Sequence, residues 1–153
     1  MAYLVDSNVL VRLRDLDSPE RAVCEQVVQV SLQQGVRLYL CAQSLIEFWA
    51  VSTRPRETNG LGLDTEQVFT GITTIVRSIP LLPEPPDIAE RWLQLVRQYE
   101  VKGKEVHDAR LVAFAVAHRI GDILTLNLDD FTRYREVAAW TPAQLIDHIT
   151  QGG

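Results

Sequence analysis

The sequence predicts an α/β fold, with a parallel sheet covered by helices on both faces. Three observations lead there. Short apolar runs alternate with longer helix-period stretches along the whole chain. The runs "AYLV" (2–5), "RLYLC" (37–41) and "DILTL" (122–126) have strand length. The stretches between them carry helix caps and stops, such as Asp64, Thr141, Gly35 and Pro55.

In order, "AYLV" is the first strand, ended by Asp6, and a helix follows from about Ser7. After "DSPE", with Ser18 as N-cap and Pro19 at the first helical position, a second helix runs to Gly35. "RLYLC" is the next strand, and the helix "SLIEFWAV" after it ends before Pro55. The Gly-containing loop 53–67 is closed by a D-x-x-Q cap at Asp64, and the helix that starts there reaches Ser78. "SIPLL" reads as a short strand, and "PLLPEPPD" (80–87) as a rigid turn. Helices are expected over 87–99 and 106–119, the second stopped by Gly121. "DILTL", the turn "NLDDF", an edge strand "VAAW" (137–140) and the helix "TPAQLIDHI" with Thr141 as N-cap complete the chain.

At 153 residues the chain has the size of one domain, 1–153, able to bury roughly two-thirds of its unfolded surface. With 46% hydrophobic and 23% charged residues, its balance is that of a soluble globular protein. The net charge of −5 argues against a broad basic face for nucleic acid. Cys24 and Cys41 are too few for a disulfide scaffold or a Cys-rich zinc site. The N-terminus lacks a basic, then apolar leader, and no run approaches a membrane span. A cytoplasmic location without membrane contact is expected.

The acids share one address. In open parallel sheets, sites collect at the carboxyl ends of the strands. Asp6 closes the first strand, and Glu47 lies one to two turns into the helix after the second. Asp108 opens a helix whose i+3, i+4 and i+7 residues are Leu111, Val112 and Ala115, so it sits on the buried stripe. Asp129 and Asp130 follow "DILTL". Glu47 stands on a helix that is apolar nearly all round, which predicts burial and demands a partner.

Each acid also has a plain structural reading. Asp6 serves as a helix N-cap, Asp108 complements a helix dipole, Glu47 pairs with Arg54 or Arg110, and Asp129 or Asp130 is a solvated turn residue. Together they are harder to explain so, because crowded carboxylates cannot all ionise without countercharge. A divalent cation supplies it. All-oxygen ligation favours Mg²⁺ or Mn²⁺ over zinc, and His107, His118 and His148 fit ligation poorly. Such an ion suits phosphodiester hydrolysis.

The segments "LVDSNVL", "QSLIEFWAVSTRP", "GKEVHDARLVAFA" and "ILTLNLDDFTRY" resemble the PIN domain family, most nearly its VapC-like toxins of toxin–antitoxin pairs. The resemblance spans nearly the whole chain. It implies a three-layer α/β/α sandwich around a short parallel sheet, Mg²⁺- or Mn²⁺-dependent endoribonuclease activity, and a possible cognate antitoxin. Carried onto this chain, the first three acids are Asp6, Glu47 and Asp108, supported by Ser7 and Asn8. Many members place the fourth acid two residues after the strand-end Thr, where this chain has Asn127 after Thr125. The spacing "TLNLDDF" matches relatives whose acid precedes the Phe, so Asp130 is the choice and Asp129 the reserve.

Basic residues near the expected rim are Arg12, Arg14, Arg54, Arg56, Lys102 and Lys104; of these Arg12, Arg54, Arg56 and Lys104 are candidate RNA contacts. The loop "TNGLGL" is a flap beside the cleft or an ordinary loop; it is no phosphate-binding fingerprint. A receiver-like signalling domain would need paired acids after the first strand and a Lys after the last, and the chain has neither pattern. A non-catalytic PIN-like interaction module is the remaining alternative. Trp92, Leu93, Leu95 and Val96, with Phe48 and Trp49, exceed one core-facing stripe and suggest a homodimer. The resemblance implies a two-fold dimer whose groove would take a basic antitoxin segment.

Overall fold

A computed structural model of the chain describes residues 1–152. Four strands, β1 (Ala2–Val5), β2 (Arg37–Tyr39), β3 (Asp122–Leu124) and β4 (Ala138–Trp140), form one parallel sheet in the order β2-β1-β3-β4. The helices are α1 (Ser7–Arg14), α2 (Arg21–Gln33), α3 (Ala42–Thr53), α4 (Thr65–Ser78), α5 (Ile88–Gln98), α6 (Val106–Ala117) and α7 (Pro142–Thr150). β1 pairs with β2 from Ala2↔Arg37 and with β3 at Leu4↔Ile123, so the two neighbours lock it from both sides.

Strand periodicity divides the core in two. Tyr3, Val5, Leu38 and Leu124 point to one face, packing with α1, α2, α3, α4 and α7 residues such as Leu10, Val27, Phe48, Val68 and Leu145. Leu4 and Ile123 point to the other, against Leu95 of α5 and Leu111, Val112 and Phe114 of α6. Both faces of the sheet are therefore dry, and the result is the three-layer α/β/α sandwich. β4 is the edge strand expected, and the Asp64–Gln67 and Thr141–Gln144 capping boxes open α4 and α7.

Four expectations need correction. α2 begins at Arg21, because Ser18 spends its Oγ on the Glu20 N–H (3.2 Å) and Pro19 lies in the preceding turn. "SIPLL" contributes only a single parallel bridge, Leu40↔Leu81, since Pro80 and Pro83 cannot donate to a ladder. α6 is stopped by Arg119 instead of Gly121. Arg119 takes φ 58° and lets Ile120 N–H reach Ala115 O (2.8 Å), a Schellman-type closure with Ile120 buried. The apolar surplus on α5 and α3 is also smaller than expected. Phe48 and Leu95 are buried, Trp49, Trp92 and Val96 are half-buried, and Leu93 stays exposed.

The Gly-containing loop is packed and is no free flap. Leu61 N–H bonds to Val51 O (3.1 Å), Gly62 N–H to Arg54 O (2.8 Å) and Leu63 N–H to Ser52 O (2.9 Å), so the loop folds back over the last turn of α3. Gly60 is buried there, and a Cβ on it would overlap the Arg54 carbonyl. Backbone cannot swing aside as a side chain does. Gly60→Ala is expected to lower unfolding stability by roughly 1–3 kcal/mol, the range for overpacking, as read from urea denaturation.

Candidate active site

β1 ends in Asp6, whose backbone N–H bonds to Leu124 O (2.9 Å), so the residue is held where β1 and β3 leave the sheet. As N-cap of α1, its Oδ1 accepts from Ser7 N–H (2.8 Å). Its Oδ2 accepts from Thr125 Oγ1 (2.9 Å) and from Asn8 Nδ2 (3.3 Å). The Thr125 hydroxyl also accepts from Asn8 Nδ2 (3.1 Å) and from Asn127 N–H (3.1 Å). One proton and two lone pairs are thereby used, which orients the hydroxyl proton at Asp6. Asn8 Oδ1 in turn accepts from Leu126 N–H (3.1 Å), tying α1 to the segment after β3.

This carboxyl is 7% exposed. Burial pushes its pKa up to about 6, although the Thr125 and Ser7 donors favour the ionised form, and Glu47 and Asp130 push it further up. Asp108, half-buried in the first turn of α6, is pushed up to about 7 by burial and then by Asp130, Asp6, Glu47 and Glu105. Asp130 is raised by burial, Asp129 and Glu105, with Asn127 and Lys104 opposing. Asp6 thus lies within electrostatic reach of Glu47 and Asp130, and Asp108 within reach of Asp130, Asp6 and Glu47.

Glu47 differs from expectation. α3 buries Ser44, Phe48 and Ser52, while Ile46 is exposed and Glu47 is half-exposed. Ser44 Oγ donates to Val5 O (3.1 Å), which docks the start of α3 against the end of β1 and brings Glu47 towards Asp6. Among the described residues Glu47 forms no ion pair. Arg110 is taken by Glu84 (2.7 Å) and Gln43 (3.3 Å), and Arg54 donates to Asn59 O (3.5 Å). Asp130 is the turn acid that Asp6 and Asp108 both sense; Asp129 is exposed and acts on Asp130 alone.

Of the basic candidates, Lys104 is the one whose charge reaches this cluster, through Asp130. Arg12 pairs with Glu20 (3.1 Å) and Arg56 with Asp17 (3.6 Å). Arg14 lines a cavity of about 540 Å³ between α1, α2 and α4, which none of the four acids lines. Ser7 reaches Asp6 through its backbone only. Glu105 is the participant the sequence reading missed. It stands three residues before Asp108, one helical turn away, and Arg133 holds it at 2.6 Å.

Among the described residues no group of three or more His, Cys, Asp or Glu side chains is gathered as a metal-holding cluster. The acids are near enough to repel and too spread to form a closed cage. The donor set nevertheless suits a hard divalent ion. Its candidate ligands are all oxygen, and Mg²⁺ takes one or two carboxylates while keeping several waters.

A family model described as "PIN domain" matches residues 3–137, a span that contains all four acids. The chain belongs to the PIN domain family. No functionally curated protein matches it. Its fold is similar to VapBC2 from Rickettsia felis, solved bound to a promoter DNA fragment, with 14% identity and TM-score 0.70 over 92% of this chain and 98% of that one. VapBC-1 from nontypeable Haemophilus influenzae gives 14% identity and TM-score 0.68 over 94% and 99%. A toxin–antitoxin complex from Klebsiella pneumoniae gives 21% and 0.61 over 92% and 97%. At these identities the likeness is one of fold.

The raised carboxyls fix the sign of a pH effect. Between about pH 4 and about pH 7 the native metal-free protein holds protons on Asp6 and Asp108 that the unfolded chain releases. Stability therefore falls as pH rises through this window. Asp108→Asn removes one repelling charge and is expected to flatten that fall. Asp6→Asn turns an amide towards the Thr125 and Asn8 donors and is expected to cost about 1–3 kcal/mol. Urea unfolding in EDTA at stepped pH measures both.

Proposed function

We propose that this PIN-domain chain, acting as one domain over 1–153 in the cytoplasm, is a metal-dependent endoribonuclease and the toxin of a toxin–antitoxin pair. The observation that carries the reading is the set Asp6, Glu47, Asp108 and Asp130 at one edge of a PIN fold, where burial and neighbouring carboxylates raise the pKa of Asp6, Asp108 and Asp130. These four residues would hold Mg²⁺ or Mn²⁺. Bound there, the ion supplies an activated water, orients the phosphate and offsets charge on the oxygens in flight.

The chain's own residues do the rest. Thr125, Asn8 and the Ser7 N–H lock Asp6 in one rotamer, and Asn127 fixes the Thr125 hydroxyl. Ser44 sets the approach of Glu47. Lys104, exposed beside Asp130, is placed to meet a phosphate, while Arg12, Arg54 and Arg56 must first leave their present partners. The toxin role draws on the fold likeness to chains solved in toxin–antitoxin complexes. A cognate antitoxin is accordingly the proposed protein partner.

Purified protein is expected to cut single-stranded RNA with Mg²⁺ or Mn²⁺ and to stop in EDTA. Asp108→Asn is expected to lower cleavage at least about 100-fold, the scale at which even outer-shell partners act. Cleavage that persists through exhaustive chelation defeats the metal mechanism.

A homodimer is part of the proposal, supported by exposed Ile46 (68%) on α3, Phe69 (58%) on α4 and Leu93 (56%) on α5. Light scattering at micromolar concentration should give twice the 17.3 kDa chain mass. A mass near 17.3 kDa across a dilution series counts against it.

A further inference from the structure

Beside the acids, α5 and α6 enclose an apolar cleft of about 430 Å³ lined by Ile88, Ala89, Trp92, Val106, His107 and Arg110. A second cavity of about 390 Å³ shares His107 and Arg110 and continues to Ile46 and Glu47. The two cavities are therefore neighbours, and Glu47 is the candidate acid that lines the second. Asp108 lies in the same turn of α6 as His107 and Arg110.

Two polar edges of the cleft already have partners. The Trp92 indole N–H donates to Val106 O (2.8 Å). The Arg110 guanidinium donates through Nη2 to Glu84 Oε2 (2.7 Å), which offsets its charge, and through Nη1 to Gln43 Oε1 (3.3 Å). Gln43 Nε2 donates to His107 O (2.7 Å), fixing the two walls to each other. The lining also brings together an indole, an imidazole and a guanidinium, three planar groups. Unpaired RNA bases are held by stacking on such surfaces, whatever their hydrogen-bonding edges.

We propose that the α5–α6 cleft is a base-binding subsite, which holds one unpaired base of the RNA strand whose neighbouring phosphate lies at the acids. The inference rests on the nuclease reading above and deepens it. Trp92, His107 and Arg110 are positioning residues, and the subsite restricts the substrate to strands whose bases can be splayed out.

The test is run in EDTA on the Asp108→Asn background, so that cleavage does not enter and one repelling carboxylate is gone. Fluorescence anisotropy compares a labelled single-stranded RNA hexamer with hexamers carrying one abasic ribose at each position in turn. Loss of one particular base is expected to weaken binding roughly 10-fold, the scale of a single stacked base. Ala89→Trp fills the cleft from an exposed position and is expected to weaken the intact hexamer by a similar factor while leaving that abasic hexamer unchanged. His107→Ala, also at an exposed position, is expected to act in the same direction. Equal affinity for intact and abasic RNAs, no binding to either, or variants that bind as their parent overturns the subsite. A halved mass for Ala89→Trp with unaltered RNA affinity assigns the cleft to a second copy and overturns it too. Failure here leaves metal-dependent cleavage by the wild type standing, and failure of that cleavage leaves a base preference in EDTA intact.

Discussion

The rest of the structure depends on the burial of the Asp6 carboxylate where β1 and β3 leave the sheet. Among the described residues it is the only buried Asp, Glu, Lys or Arg. A charge so placed is costly unless it is hydrogen-bonded or neutralised. Here three donors reach it, and each belongs to a different structural need. Ser7 N–H opens α1, Asn8 bridges to the segment after β3, and Thr125 ends that strand. Removing any one would loosen the junction between the two central strands as well as the acid. The donors do not cancel the desolvation, and the carboxyl remains raised to about 6. The N-cap role and the proposed ligand role of Asp6 are therefore compatible, since the cap uses Oδ1 and a single N–H.

Sheet order converts this local arrangement into a site. With β1 and β3 adjacent at the centre, the segments after both strands leave side by side at the same edge. α3 joins them because Ser44 bonds to the last carbonyl of β1. α6 lies on the opposite layer, yet its first turn carries Asp108 back to the same edge. Acids from separate segments then raise one another's pKa, as Asp130, Asp6 and Glu47 do at Asp108.

The charge distribution eases the tension between a net charge of −5 and the proposed RNA substrate. Arg12, Arg21, Arg56, Arg91, Arg110 and Arg133 are all paired with carboxylates, so much of the positive charge is spent in the fold. Partly exposed pairs of this kind add little stability, and they release an arginine at little cost when a phosphate competes. Substrate holding is thus expected to rely on the bound ion and on stacking surfaces more than on a basic face, in keeping with the apolar cleft beside Glu47.

Periodicity and punctuation in the sequence determined the fold class, because strands buried on both faces and helices with explicit caps leave local signatures. "AYLV", the Asp64 and Thr141 boxes and the helix after Val106 are legible without any partner. The sequence also suggested a common address for Asp6 at the end of β1, Glu47 one to two turns into the helix after β2, Asp108 in the first turn of α6 and Asp130 beyond β3. The tertiary structure decided what no local signal carries. Glu47 was expected to be buried from its apolar neighbours, yet Ile46 beside it faces outward, because α3 buries Ser44, Phe48 and Ser52 and packs Leu45, Trp49 and Val51 beside them. Arg119 replaced Gly121 as the stop of α6 because Ile120, buried in the core, repays a left-handed residue. Arg110 was a candidate partner for Glu47 and instead joined Glu84, brought near by the chain crossing between layers. Choices between competing partners depend on distances across the fold, and such distances are set only when both sheet faces have packed.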